Sequence, residues 1–141
     1  MKSLAWAIAS LGLLTAVPAL LLGQESQQSE RVELKQNYPN PFNPETTIPF
    51  TLPASLFADG QRPVVSLRIY NVLAQLVAVP ILQGSGEPLD NVRLDWNGTG
   101  EYSAYWDGKI LRTDREAASG VYVYQLVVNG RRYTGKMTVV K

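Results

Sequence analysis

"GVYVYQLVVNGRRYTGKMTVVK", Gly120 to Lys141, decides the class of fold. Its first nine residues are β-branched or aromatic apart from Gly120, Gln125 and Leu126, which suits a pleated, half-buried surface. Asn129-Gly130 is a dipeptide that accepts φ > 0 at both positions, the requirement of a two-residue hairpin turn. The residues beyond it are expected to return antiparallel as the last strand. Alternation aims Tyr122, Leu126 and Val139 at a common core.

The same period of two recurs toward the N-terminus. Ile48, Phe50 and Leu52 alternate with Thr47, Pro49 and Thr51, and Pro49, lacking an N–H, predicts that this strand lies at a sheet edge. Val65, Leu67 and Ile69 alternate with Ser66, Arg68 and Tyr70, predicting a strand with one wet face. "QLVAVPIL" follows a tight turn near Ala74. Residues 83–99 are rich in turn formers and offer a short strand from Val92 to Trp96. "EYSAYW" runs into Asp107-Gly108, read as a hairpin turn, and residues 109–119 form a charged loop. No window longer than eleven residues favours a helix beyond the N-terminal stretch. An all-β, antiparallel sandwich of about seven strands is expected. Its predicted core includes Ile48, Phe50, Leu67, Ile69, Tyr122, Leu126 and Val139.

The N-terminus reads differently. After Met1-Lys2-Ser3, residues 4–22 carry no charge, and small residues then precede polar "GQESQQSE". This is the pattern of a secretory signal peptide over residues 1–23, with cleavage after Ala19 or Gly23. An uncleaved membrane anchor is the alternative. Residues 24–36 read as a polar linker and residues 37–141 as the domain. The chain has no cysteine, so neither a disulfide nor a lipid anchor through cysteine is available to it. Lys and Arg number 13 against 12 Asp and Glu, distributed unevenly. Residues 24–108 hold five basic and ten acidic side chains, residues 109–141 seven and two. That asymmetry fits a solvated face or oriented docking, and it is too sparse in stacking positions to predict nucleic-acid binding.

Histidine is absent too, which removes Ser–His–Asp and Cys–His catalysis, the usual zinc sites, and haem or iron–sulfur ligation by those residues. "DWNGTGE", Asp95 to Glu101, spaces its oxygens like the start of a calcium loop, yet Trp106 stands where an EF-hand needs a bidentate glutamate. A polar turn is the better reading. Trp96, Tyr102, Tyr105 and Trp106 offer aromatic surface, with alternation assigning Tyr102 and Trp106 to the face opposite Tyr105. No cofactor or metal is expected, and with no catalytic constellation the chain is expected not to be an enzyme.

Five motifs occur in order: "NYPNPFNPETTIPFTLP", "VSLRIYNVLAQLV", "YWDGK", "SGVYVYQL" and "GKMTVVK". Together they resemble the type A C-terminal sorting domain of type IX secretion cargo, itself similar to the immunoglobulin-like domain of flagellar hook-capping proteins. The resemblance implies an immunoglobulin-like sandwich that takes an attached cargo across a bacterial outer membrane. It implies the type IX translocon and sortase components as partners, and membrane contact only during export through the signal peptide. The expected localisation is the periplasm, then the cell surface or exterior. It also implies roles by position: Asn40, Pro41 and Phe42 in the leading motif, Gly120 and Tyr122 in the motif opening the penultimate strand, and Lys136, Val139 and Lys141 in the terminal strand that the machinery reads. Ala74 stands where the resemblance expects glycine, and the loop after "YWDGK" lacks the family's usual acidic and glycine residues. Only residues 1–36 stand before the motifs in this sequence, so the expectation is that the small N-terminal peptide is the cargo or that the chain is the remnant of a longer gene. The alternative function is a structural envelope subunit of the same fold that binds a protein partner by strand addition.

Overall fold

The computed structural model describes residues 30–141, so the predicted signal peptide and most of the predicted linker lie outside the described residues. The fold is an all-β sandwich of two antiparallel sheets. In chain order the strands are β1 (Glu33–Leu34), β2 (Thr46–Thr51), β3 (Val64–Tyr70), β4 (Leu76–Ala78), β5 (Ile81–Leu82), β6 (Val92–Arg93), β7 (Glu101–Trp106), β8 (Gly120–Val128) and β9 (Arg131–Val139). One sheet has the order β1-β2-β7-β5; the other has the order β4-β3-β8-β9, with β6 also paired to β3. A short 3-10 segment, Ala54–Gly60, joins β2 to β3.

Period-two alternation drives the packing, because successive side chains leave a strand on opposite faces. Ile48, Phe50, Leu67, Ile69 and Leu126 are fully buried, and Tyr122 and Val139 nearly so, placing all seven predicted core residues between the sheets. The β8–β9 hairpin closes as expected. Asn129 and Gly130 adopt φ of 47° and 85°, and Val128 pairs with Arg131 in the register. The Asn129 side chain also accepts a hydrogen bond from the Val64 N–H, tying the turn to β3.

Several local expectations are corrected. β2 is not an edge strand, since β1 pairs outside it. Pro49 is tolerated because its carbonyl faces β1, where it accepts from Lys35 N–H. The missing N–H is therefore on the side of the short outer strand, away from the long β7 ladder. "QLVAVPIL" is two strands: β4 pairs with β3 in one sheet and β5 with β7 in the other, the chain crossing between them at Val79-Pro80. The strand expected from Val92 to Trp96 shortens to Val92–Arg93. Asp107-Gly108 makes no hairpin, because β7 and β8 lie in different sheets. A Cβ on Gly108 would stand 2.0 Å from the Pro44 carbonyl oxygen, so this glycine permits a close crossing of two chain segments. The wet face of β3 is partly covered: Ser66 is buried, and its hydroxyl accepts from the Asn91 N–H. Finally, residues 33–36 of the predicted linker are part of the fold, forming β1 and bonding through Lys35 and Gln36.

Candidate functional site

The segment from Asn37 to Pro44 folds into a compact turn whose peptide bonds before Pro39, Pro41 and Pro44 are cis. Asn37 and Thr46 are buried, and both are satisfied. The Asn37 carboxamide donates to Thr46 Oγ1 at 3.0 Å and to the Pro39 carbonyl at 3.2 Å, while the Thr46 hydroxyl donates to that same carbonyl at 3.1 Å. A buried polar pair of this kind fixes a conformation, because any other leaves amide groups unpaired away from water.

This turn presents Asn40 and Phe42 to the end of β9. Thr138 N–H donates to Asn40 Oδ1 at 3.0 Å. Phe42 N–H donates to the Thr138 carbonyl at 3.0 Å, and Val140 N–H donates to the Phe42 carbonyl at 3.1 Å, a parallel bridge. Further up, the Gln36 side chain donates to the Lys136 carbonyl at 2.9 Å. Residues 36–42 thus form a strap along the outer edge of the terminal strand. The Phe42 ring enters the core edge-on to Trp106, with centroids 5.4 Å apart, and Trp106 meets Tyr122 likewise at 5.9 Å. The polar tips of both partners are satisfied: the Trp106 indole donates to the Lys109 carbonyl and the Tyr122 hydroxyl to that of Ala118.

The predicted sorting residues therefore converge on one end of the sandwich. Asn40 and Phe42 grip β9, Gly120 pairs with Val139 across the hairpin, and Tyr122 pairs with Met137. Lys141 lies beside them, its N–H donating to Ser119 Oγ and its ammonium 2.8 Å from the Glu116 carboxylate. The hydrogen bond and charge of Lys141 hold Glu116 below the usual carboxylate range. Pro41 is exposed within the turn, and Lys136 is exposed on the outer face of β9. The residues that sequence reasoning missed are Asn37, Thr46, Gln36 and Gly135. Asn37 and Thr46 stand inside the quoted leading motif, and Gly135 interrupts an otherwise bulky strand.

Elsewhere, the loop from Asp95 to Glu101 is a polar turn, tied to the rest of the fold by the Arg62–Asp95 ion pair and by the Leu52 N–H, which donates to the Gly100 carbonyl. Asn97 Oδ1 accepts from the Thr99 and Gly100 N–H groups, and its amide donates to the Glu101 carbonyl. Tyr102 and Trp106 are buried, whereas Trp96 is 42% exposed against Phe57. The Tyr105 hydroxyl donates to the Glu45 carboxylate, which pushes the phenol up to about 12. Among the described residues, no group of acidic side chains gathers to hold a metal ion, and no helix is long and apolar enough to cross a membrane.

No protein-family model matches the chain, and no curated protein matches it. Among solved structures, it is similar to Pseudomonas fluorescens alkylpurine DNA glycosylase AlkC bound to DNA containing an abasic site analog, at 17% identity and a TM-score of 0.45. The likeness covers 80% of this chain and 31% of that one, so the chain spans about a third of its length. At this level it carries no argument for shared activity. The expectation that this chain is not an enzyme is withdrawn: the similar structure is that of a DNA glycosylase, and enzyme status is not established either way.

Proposed function

We propose that the chain is a secretion-targeting domain, a type A sorting signal read by the type IX translocon and directing export across the outer membrane. The observation that supports this most is the bridge between Phe42 and the Thr138–Val140 backbone. It makes the leading motif and the terminal strand, distant in sequence, a single structural unit, as a signal recognised in its folded form requires. The expected route is through the signal peptide to the periplasm, then to the surface or exterior with sortase components as partners.

The test is a reporter fused between the signal peptide and residues 24–141, expressed in a type IX-competent cell. Export of the reporter, lost without the domain, supports the reading. Retention in the periplasm while a known cargo leaves the same cells overturns it. A second reading has one observation of its own: among the described residues, and beyond the strap, no strand forms a ladder with the outer side of β9 at Arg132 and Thr134, although β1 lies near β9. An envelope subunit binding its partner by strand addition would use that edge.

A further inference from the structure

We infer that the terminal strand is read through the outer face of its sheet rather than through its backbone edge, by a protein surface that is apolar and carries carboxylates opposite Lys136. The inference deepens the sorting reading and rests on it for the identity of the strand.

The edge is already engaged where the signal lies. Gln36 holds the Lys136 carbonyl, Asn40 the Thr138 N–H, and Phe42 both the Thr138 carbonyl and the Val140 N–H. A partner adding a strand there would have to expel Phe42 from the core, where it is 2% exposed. What stays accessible is the side-chain face pointing away from the core. The register places Val121 beside Thr138 and Val123 beside Lys136, with Tyr70 of β3 on the other flank of Val123. Val121 and Val140 are each 47% exposed and Leu76, paired with Tyr70, is 45% exposed, so an apolar strip crosses this end of the sheet. Such a strip, lying beside the cationic Lys136, is a candidate contact site.

Charge selects the partner. β3, β8 and β9 contain no Asp or Glu, while Arg68, Arg132 and Lys136 project from the face they share. Arg68 is neutralised by Asp90 and Lys141 by Glu116; Lys136 has no ion-pair partner among the described residues. A second copy of this chain would bring the same cations against each other, which opposes self-association. An acidic, apolar partner would gain from both features.

The experiment is an amide NMR titration of the isotope-labelled whole chain with two synthetic peptides, one alternating valine with glutamate and one alternating valine with lysine. The glutamate peptide is expected to shift the amides of residues 121–123 and 136–140 saturably, and the lysine peptide to leave them in place. Lys136→Glu is expected to weaken the glutamate peptide about tenfold or more with an unchanged unfolding midpoint. Shifts confined to Arg132 and Thr134, equal response to both peptides, or no response would overturn the inference. Reporter export separates this from the sorting reading. A fusion whose export survives both Lys136→Glu and Val121→Glu overturns the face and leaves the sorting signal standing. A fusion that never leaves the periplasm removes the sorting reading, while the titration still decides the face.

Discussion

Tyr124 lies directly across from Gly135 in the β8–β9 ladder, and its ring occupies the space where a side chain at Gly135 would be. A Cβ there would stand 2.3 Å from Tyr124 Cζ. The ring passes over the bare backbone and its hydroxyl donates to the Lys35 carbonyl at 2.9 Å, joining the hairpin to the start of the strap. Gly135→Val is therefore expected to destabilise the fold by about 1–3 kcal/mol through overpacking. Tyr124→Phe is expected to cost less, about 0.5–1.5 kcal/mol, by losing one hydrogen bond. Denaturant midpoints of the two variants check the order; equal or reversed costs would refute it.

Phe42→Ala should release the strap as well as leave a cavity. The loss of a buried aromatic costs about 3–5 kcal/mol, and the bridge it anchors includes the Val140 N–H. Hydrogen exchange at Val140 should accelerate in this variant by more than at Leu67, whose N–H donates to the Leu89 carbonyl on the far side of the sheet. Equal acceleration at both amides would mean that the strap has no local role.

Leu67 is fully buried in the middle of β3. Leu67→Ala should cost about 2–5 kcal/mol. An unfolding midpoint shifted no more than by Gln61→Ala, an exposed position, would remove Leu67 from the core.

Ala74 adopts φ of 61° in the β3–β4 turn, where its N–H donates to the Asn71 carbonyl. An alanine Cβ is crowded in the left-handed region, whereas glycine is not, although glycine loses more entropy on folding. Ala74→Gly is expected to be net stabilising by about 0.5–1 kcal/mol. A lower melting temperature for the glycine variant would contradict this.

Burial pushes the Tyr102 and Tyr124 phenols above the ordinary value of 10.0, offset partly by backbone hydrogen bonds at Asn97 and Asn37. A phenol whose folded pKa exceeds its unfolded one keeps its proton longer in the native state, so the native state binds more protons above pH 10. Stability should be constant through neutral pH and fall as pH rises past 10, the unfolded value. Tyr102→Phe and Tyr124→Phe together should lessen that decline in melting temperature against pH, leaving the part contributed by Tyr105, whose phenol is also raised. An unchanged decline would assign it to other groups.

The positions and core faces of the longer strands were legible in the sequence because they are local. Alternation in "IPFTL", "VSLRI" and "GVYVYQLVV" states which side chains face a core, and Asn129-Gly130 states where the chain reverses. The candidate site was legible only as separate motifs. Nothing local in "NPF" or "KMTV" says that Asn40 and Thr138, 98 positions apart, share a hydrogen bond. Sheet membership was equally hidden. Period two names the apolar face of a strand but not its neighbour, so Asp107-Gly108 looked like a hairpin although β7 and β8 belong to different sheets. The wet face assigned to Ser66 and the edge assigned to Pro49 failed for the same reason, since Asn91 and β1 cover them from elsewhere in the chain. The sequence by itself determined the all-β class, the core residues and the terminal hairpin, since each depends on neighbours a few positions apart. Only the tertiary structure decided the strap, the sheet partners and the role of Gly135, because those depend on backbone groups and side chains that meet once the chain has closed on itself.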